Sequence, residues 1–274
     1  MASEAPESDP LAPDAVLLTD RVAVVTGAAT GLGRATATMF ARFGASIAIC
    51  DREPDGLESA RAEIEATGPV LARVLDVRDG DAVDAFLADV AADQGRVDVL
   101  VNNAGGTFFA PFADVSVGGE AALLAENFTQ VTRFVRGVVP LMPETGGSIV
   151  NVTSIEAHQA APGFAIYGAM KAAIAQLTRT LALELAPRRI RVNAIAPDAI
   201  PTTGDHDLQD AMREAGATFE PTVLPPLGYF GEPDDAAAVA VFLASDLSRF
   251  VTGTTIHVDG GNWAAGGWRR TDEP

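Results

Sequence analysis

The sequence predicts an α/β domain built on a doubly wound parallel sheet with helices on both faces. Three observations point there. Short apolar runs rich in Val and Ile recur along the chain, segments of helical period separate them, and the first run leads straight into a glycine-rich turn. Nearly continuous Val/Ile runs suit strands covered on both faces. Their alternation with helices implies parallel strands joined by crossover connections.

The runs are Val22–Thr26, Ser46–Cys50, Val70–Asp76, Val97–Val101, Ser148–Thr153, Ile190–Ile195 and Thr254–Val258. Helices are expected near 31–43, 54–67, 79–93, 117–139, 165–186 and 232–245. About seven strands and six helices use most of the 274 residues, so a single domain over 19–274 suffices. Two segments break the alternation, 102–116 and 197–231, and both follow the carboxyl ends of strands, where open α/β sheets bind ligands. The second, rich in Pro, Thr and acidic residues, reads as a substrate-covering loop.

Composition excludes several function classes. The acidic, proline-containing residues 1–18 lack the basic start and apolar stretch of a secretory signal and read as a solvated, disordered arm. No apolar run reaches the roughly 18 residues of a membrane span, so no membrane role is expected. A formal net charge of −18 disfavours nucleic acid and anionic lipid as partners. The single cysteine, Cys50, falls in a strand run and reads as a small core residue, in keeping with a cytoplasmic location. His158, His206 and His257 lack ligand-like spacing, so no metal site is expected.

The first strand runs into Thr26-Gly27-Ala28-Ala29-Thr30-Gly31-Leu32-Gly33 and then a helix. Glycines there permit a tight turn and a close approach to pyrophosphate, and the helix N-terminus offers N–H groups to it. Gly27, Thr30, Gly31, Leu32 and Gly33 are therefore the expected cradle of a Rossmann-type dinucleotide site. About 20 residues on, Asp51 ends the second strand, placed to hold the adenosine ribose hydroxyls and to repel a 2′-phosphate. That favours NAD as cofactor; Arg52 is the contrary signal, since a guanidinium can bind that phosphate.

The ordered set Gly27/Gly31/Gly33, Asp76-Val77, Asn102-Asn103-Ala104-Gly105, Asn127, Ser154 and Tyr167-Gly168-Ala169-Met170-Lys171 resembles the short-chain dehydrogenase/reductase family in its single-domain branch. Val251-Thr252-Gly253 and Val258-Asp259-Gly260-Gly261 extend the resemblance over roughly residues 20 to 262. It implies hydride exchange between NAD and a small-molecule secondary alcohol or ketone, with Tyr167 as acid/base and Lys171 tuning it. Ser154 would polarise the substrate oxygen, and Asn127 would place a water linking Lys171 to solvent. Asp76 and Val77 would meet the adenine, Asn102, Ala104 and Gly105 would line the adenosine side, and Asn103 would brace the central strands. Pro197, Ile200 and Thr202 would sit at the nicotinamide, and Tyr167 and Lys171 would also contact the cofactor. Thr30 stands where NADP-preferring relatives carry a basic residue. The chain departs from the family at Asp198, which replaces the usual glycine after Pro197.

Elementary chemistry supports the central pair. A phenol with a pKa of about 10 is a poor base at neutral pH, and a neighbouring cation stabilises its phenolate. Residues 167 and 171 lie one turn apart on one helix face. Of the 19 basic residues only Lys171 is lysine, which marks a position where arginine does not serve. Glu156, Phe164, Asp198, His206 and Phe219 are candidates for a substrate wall, and the apolar, proline-containing segment 197–231 points to a bulky hydrophobic or cyclic substrate, steroid-like in shape. Trp263 and Trp268 read as subunit packing or pocket rim, and the resemblance implies a homotetramer or homodimer. Two alternatives stand beside this reading: an NADPH-linked 3-oxoacyl thioester reductase, and a non-catalytic nucleotide sensor on the same fold.

Overall fold

All five residues of β1, Val22–Thr26, are buried in the computed structural model, and the sheet grows outward from this strand. The structure describes residues 12–214, 216 and 224–266. On one side lie β2 (Ser46–Asp51) and β3 (Val70–Val74); on the other lie β4 (Val99–Asn102), β5 (Gly147–Val152), β6 (Ile190–Pro197) and β7 (Thr255–Val258). The order is β3-β2-β1-β4-β5-β6-β7 with every pairing parallel. Chain order reverses between β1 and β4, which opens a crevice beyond their carboxyl ends.

Successive residues of the inner strands feed opposite cores, which is why those runs are apolar without alternation, whereas edge strand β3 leaves Arg73 and Val74 exposed. Ala23 and Val25 pack with Phe40, Ile47, Ile49 and Leu57 beneath α1 (Gly31–Arg42) and α2 (Pro54–Glu65). Val22 and Val24 pack with Phe86, Phe134, Ile149 and Ile174 on the other face, against α3 (Gly80–Gln94) and two further helices. Each large side chain so buried stabilises the fold by about 1.5–3 kcal/mol before entropy is counted.

Those further helices are α5 (Gln130–Val138) and α6 (Ala165–Glu184), and α4 (Val117–Leu124) precedes α5. The stretch 117–139 expected as one helix is therefore interrupted: a π-helical turn, Ala125–Thr129, joins α4 to α5. Hydrophobic period alone does not register the one extra residue of a π turn, and such turns are common where a side chain must be re-aimed. Here it carries the buried Asn127.

The segment 197–231 is not a loop throughout, because α7 (Thr203–Glu214) lies within it. The Pro and Thr residues at its start masked a following stretch with Leu, Gln, Met and Arg, all good helix formers. Residues 217–223 lie outside the described residues. Part of the span 1–18 expected as a disordered arm is ordered: Pro13–Val16 form a 3-10 turn, and Leu18 is fully buried with its N–H donating to the Phe43 carbonyl. Residues 1–11 lie outside the described residues. The chain closes with α8 (Pro233–Ala244), β7 and α9 (Asn262–Ala265). No helix among the described residues is long and apolar enough to cross a membrane. Cys50 is fully buried in β2, and burial pushes its thiol pKa well up, as befits an inert core residue.

Candidate active site

Gly27 and Gly31 take φ values of +67° and +56°, a region where a Cβ is strained. Gly33 faces the carbonyl of Gly27 so closely that a Cβ there would sit 2.0 Å from that oxygen. The turn and α1 are therefore packed backbone to backbone. Thr30, the N-cap of α1, makes no side-chain cap hydrogen bond among the described residues, which leaves first-turn N–H groups to a ligand. The methyl of Thr202 would lie 3.4 Å from a Cβ on Gly31, so the segment after β6 folds back over the turn.

Asp51 is fixed at the end of β2 by two backbone donors. Its Oδ2 accepts from the Ala29 N–H at 2.9 Å and its Oδ1 from the Glu53 N–H at 3.1 Å. Arg52 beside it is engaged by acids, 3.4 Å from Glu126 and 3.8 Å from Glu53. Asp76 is clasped by Arg78, whose Nε donates to both carboxylate oxygens at 2.9 and 3.0 Å; that hydrogen bonding holds its pKa below the usual carboxylate range. Val77 is half-buried and packs on the core under α3.

The Asn102 side chain is turned into the sheet, donating to Asn151 Oδ1 at 2.8 Å. Asn103 Nδ2 donates to the carbonyls of Thr26 and Gly27 at 3.0 and 2.9 Å, the bracing role expected of it. Two contributors escaped the sequence reading. Thr26 Oγ1 accepts from the N–H groups of Asn103 and Ala104 at 3.1 and 3.0 Å, and Gln130 Nε2 donates to the Ala104 carbonyl at 3.0 Å. Both are invisible to periodicity; a polar side chain within an apolar strand was the available signal for Thr26.

Beyond Gly105 the sequence-predicted catalytic set converges. A Cβ on Gly105 would stand 2.8 Å from Asn127 Oδ1 and 3.2 Å from Lys171 Nζ, so these two atoms face one small gap. Asn127 Nδ2 donates to the carbonyls of Gly106 and Leu123 at 2.8 and 3.1 Å, while its Oδ1 is buried with no partner among the described residues. An unpaired buried acceptor is costly, and a water bridging it to Lys171 would satisfy it. Lys171 is 4% exposed, donates to the Val152 carbonyl at 3.1 Å, and lies 5.4 Å from the centre of the Tyr167 ring. Burial lowers its ammonium pKa to about 8 against the opposing pull of Glu156 and Glu126.

Ser154 follows β5, is 7% exposed, and its hydroxyl donates to Glu156 on the next 3-10 turn (Ile155–Ala157). Burial raises the Glu156 pKa, and the nearby Asp198 adds to that. Asp198 itself accepts from Asn262 Nδ2 at 2.7 Å. The backbone freedom that a glycine would supply falls one residue later, at Ala199, whose φ is +52°. Pro197 ends β6 opposite Val258, and Ile200 is buried against Gly231.

Of the other wall candidates, Phe164 packs edge-on against Phe109 at 5.6 Å. His158 turns to the tail, its ring 4.8 Å from His257 and 5.7 Å from Trp263, and Trp263 stacks on His257 at 5.3 Å. His206 lies on α7, while Phe219 and Trp268 lie outside the described residues.

The Gly27–Gly33 turn, Asp51 and the Ser154, Tyr167, Lys171 and Asn127 set thus lie along the carboxyl edge of the sheet. A family model described as enoyl-(acyl carrier protein) reductase matches residues 27–262. The chain is 40% identical over 246 residues to a 3-oxoacyl-(acyl-carrier-protein) reductase of Thermotoga maritima, covering 89% of this chain and 98% of that protein. It is 40% identical over 248 residues to 3beta-hydroxysteroid dehydrogenase 1 of Eggerthella lenta, covering 89% and 94%. Carveol dehydrogenase from Mycobacterium avium, solved in complex with NAD, superposes with a TM-score of 0.84 at 28% identity over 90% of this chain and 99% of that one. Fold, motif order and likeness over nearly the whole chain agree: it belongs to the short-chain dehydrogenase/reductase family of oxidoreductases.

Proposed function

We propose that this chain catalyses reversible, NAD(H)-linked oxidation of a secondary alcohol on a bulky hydrophobic or cyclic substrate. The observation that carries the proposal is the buried Lys171 beside the Tyr167 ring, 5.4 Å from its centre, with the half-turn of Ser154 and Glu156 next to it. A bound nicotinamide supplies the hydride acceptor or donor. Tyr167 takes the alcohol proton or returns it to the carbonyl, and the Lys171 cation stabilises the phenolate that this requires. Ser154 holds the substrate oxygen, and Asn127 Oδ1 holds the water through which the proton reaches solvent.

Asp51 supports NAD. Its two backbone donors fix the carboxylate at the end of β2, where it would meet ribose hydroxyls and oppose a 2′-phosphate. Arg52 and Arg78, the cations nearest that end, are already paired with carboxylates. The hydroxysteroid and carveol dehydrogenases among its relatives support a cyclic alcohol.

A second reading, an NADPH-linked 3-oxoacyl thioester reductase, is favoured by the Thermotoga relative and by Arg52. Initial rates with NAD and NADP over a panel of cyclic secondary alcohols, and with NADH and NADPH over ketones and acyl thioesters, separate the two. Turnover with NAD on cyclic alcohols is expected. Turnover confined to NADPH and thioesters would replace the first reading with the second.

A further inference from the structure

Resting on that reading, we propose that Glu156 is a positioning residue that sets the polarity of the Ser154 hydrogen bond. As a neutral acid it donates to Ser154 Oγ and releases the Ser154 proton to the substrate oxygen; as a carboxylate it holds that proton itself.

A serine hydroxyl has one proton and two lone pairs. When the Ser154 hydroxyl donates to Glu156, its proton cannot also polarise a carbonyl. A carboxylate is the stronger acceptor, since hydrogen bonds to an ionised group are roughly twice as strong as neutral ones. Ionised Glu156 therefore outcompetes a substrate oxygen. Neutral Glu156 reverses the bond: its O–H points to Ser154 Oγ, and the serine O–H turns toward the crevice.

The surroundings favour the neutral form. Burial is the first cause, and the Asp198 carboxylate, held by Asn262 at the end of β6, adds to it. From α6, Lys171 acts in the opposite direction, itself drawn on by Glu126; Tyr167 is the other titratable group that α6 presents here. On the same turn as Glu156, His158 is occupied with His257 and Trp263. The net effect raises the Glu156 pKa above the ordinary carboxylate range.

Glu156 also borders a second space, on the far side of α6 from Tyr167 and Lys171. It lines a cavity of about 450 Å³ with Gln159, Pro162, Phe164, Ala165 and Ala169. Residues 165 and 169 belong to the face of α6 opposite the one bearing Tyr167 and Lys171.

The consequence is a rate limit opposite in sign to that of Tyr167. Alcohol oxidation gains from deprotonating Tyr167 as pH rises, yet loses the Ser154 donor once Glu156 ionises. The transition state is common to both directions, so reduction loses the same donor.

Infrared titration of the unliganded chain and pH profiles of kcat/KM in both directions, for wild type, Glu156→Gln and Ser154→Ala, provide the test. The expected result is a protonated-carboxyl band that persists above the ordinary carboxylate titration, is absent from Glu156→Gln and shifts in Ser154→Ala. In turnover, wild type is expected to fall about tenfold per pH unit on the alkaline side, and Glu156→Gln to lose that limb. No such band in wild type, a band indifferent to Ser154→Ala, or an alkaline limb that survives in Glu156→Gln would overturn the proposal. If the band behaves as stated while wild type turns over no alcohol or ketone, the dehydrogenase reading fails and the Glu156–Ser154 coupling stands.

Discussion

Lys171 Nζ lies 5.4 Å from the centre of the Tyr167 ring and donates to the Val152 carbonyl at 3.1 Å, one helical turn from the tyrosine on α6. The strand carbonyl orients the ammonium, and the helix fixes its distance from the phenol. A cation placed this way costs stability, because burial lowers its pKa from 10.5 to about 8.

That cost is measurable. Below about pH 8 the folded chain bears the full penalty of the charged ammonium. Between about 8 and 10.5 the unfolded chain binds more protons at this site than the folded one, so the Lys171 contribution to stability improves as pH rises. Lys171→Met, which is never charged, should therefore unfold several degrees above wild type at pH 7, corresponding to about 2 kcal/mol. The gap should close as pH passes the upper end of that window. Thermal denaturation of both proteins across this range checks it; a Lys171→Met variant less stable than wild type at pH 7 would show the ammonium to be stabilising.

Lys171→Arg should keep the positive charge and lose the activity. A planar guanidinium cannot occupy the gap bounded by Gly105, Asn127 and the Val152 carbonyl without displacing one of them. A drop in kcat of about 10²-fold or more is expected, in line with loss of support to an acid/base group. Steady-state kinetics beside a cofactor-binding titration would show whether chemistry or binding is lost.

Asp51→Ser should change cofactor choice. Removing the carboxylate withdraws the repulsion of a 2′-phosphate and frees the Ala29 and Glu53 N–H groups to bind it. The ratio of kcat/KM with NADP to that with NAD should rise by about tenfold or more, a differential of roughly 1.4 kcal/mol. An unchanged ratio would remove Asp51 from cofactor discrimination.

Gly33→Ala should abolish dinucleotide binding. The added Cβ would meet the Gly27 carbonyl oxygen at 2.0 Å, and neither a Cβ nor a backbone oxygen can rotate out of that contact. Either α1 lifts from the turn or the turn opens, at a cost of about 1–3 kcal/mol in stability. Calorimetric titration with NAD and a melting curve report the two effects separately.

Much of this was legible in the sequence, for identifiable reasons. Strands covered on both faces leave continuous Val/Ile runs, so all seven appear within a residue or two of their observed bounds. β3 stops at Val74 where the run suggested Asp76, because Asp76 turns back to clasp Arg78. Tyr167 and Lys171 stand out through spacing and through the rarity of lysine in the chain.

What escaped notice depends on features without a local pattern. The π turn at Ala125–Thr129 differs from an α-helix by one residue in its hydrogen bonding, and no period betrays it. The helix Thr203–Glu214 follows proline and threonine residues that read as loop. The bond from Ser154 to Glu156 spans two residues, but its meaning depends on Lys171 and Asp198, which reach the site from α6 and from the end of β6.

The most direct measurement is the rate of NADH formation from NAD and a cyclic secondary alcohol by wild type and by Tyr167→Phe, with NAD binding measured on both. Phenylalanine keeps the ring beside Lys171 and removes only the hydroxyl. The expected result is NAD binding by both proteins and a kcat lower in Tyr167→Phe by about 10²–10⁴-fold, the usual contribution of a general acid/base. A Tyr167→Phe variant that retains full turnover would contradict the assignment of proton transfer to Tyr167.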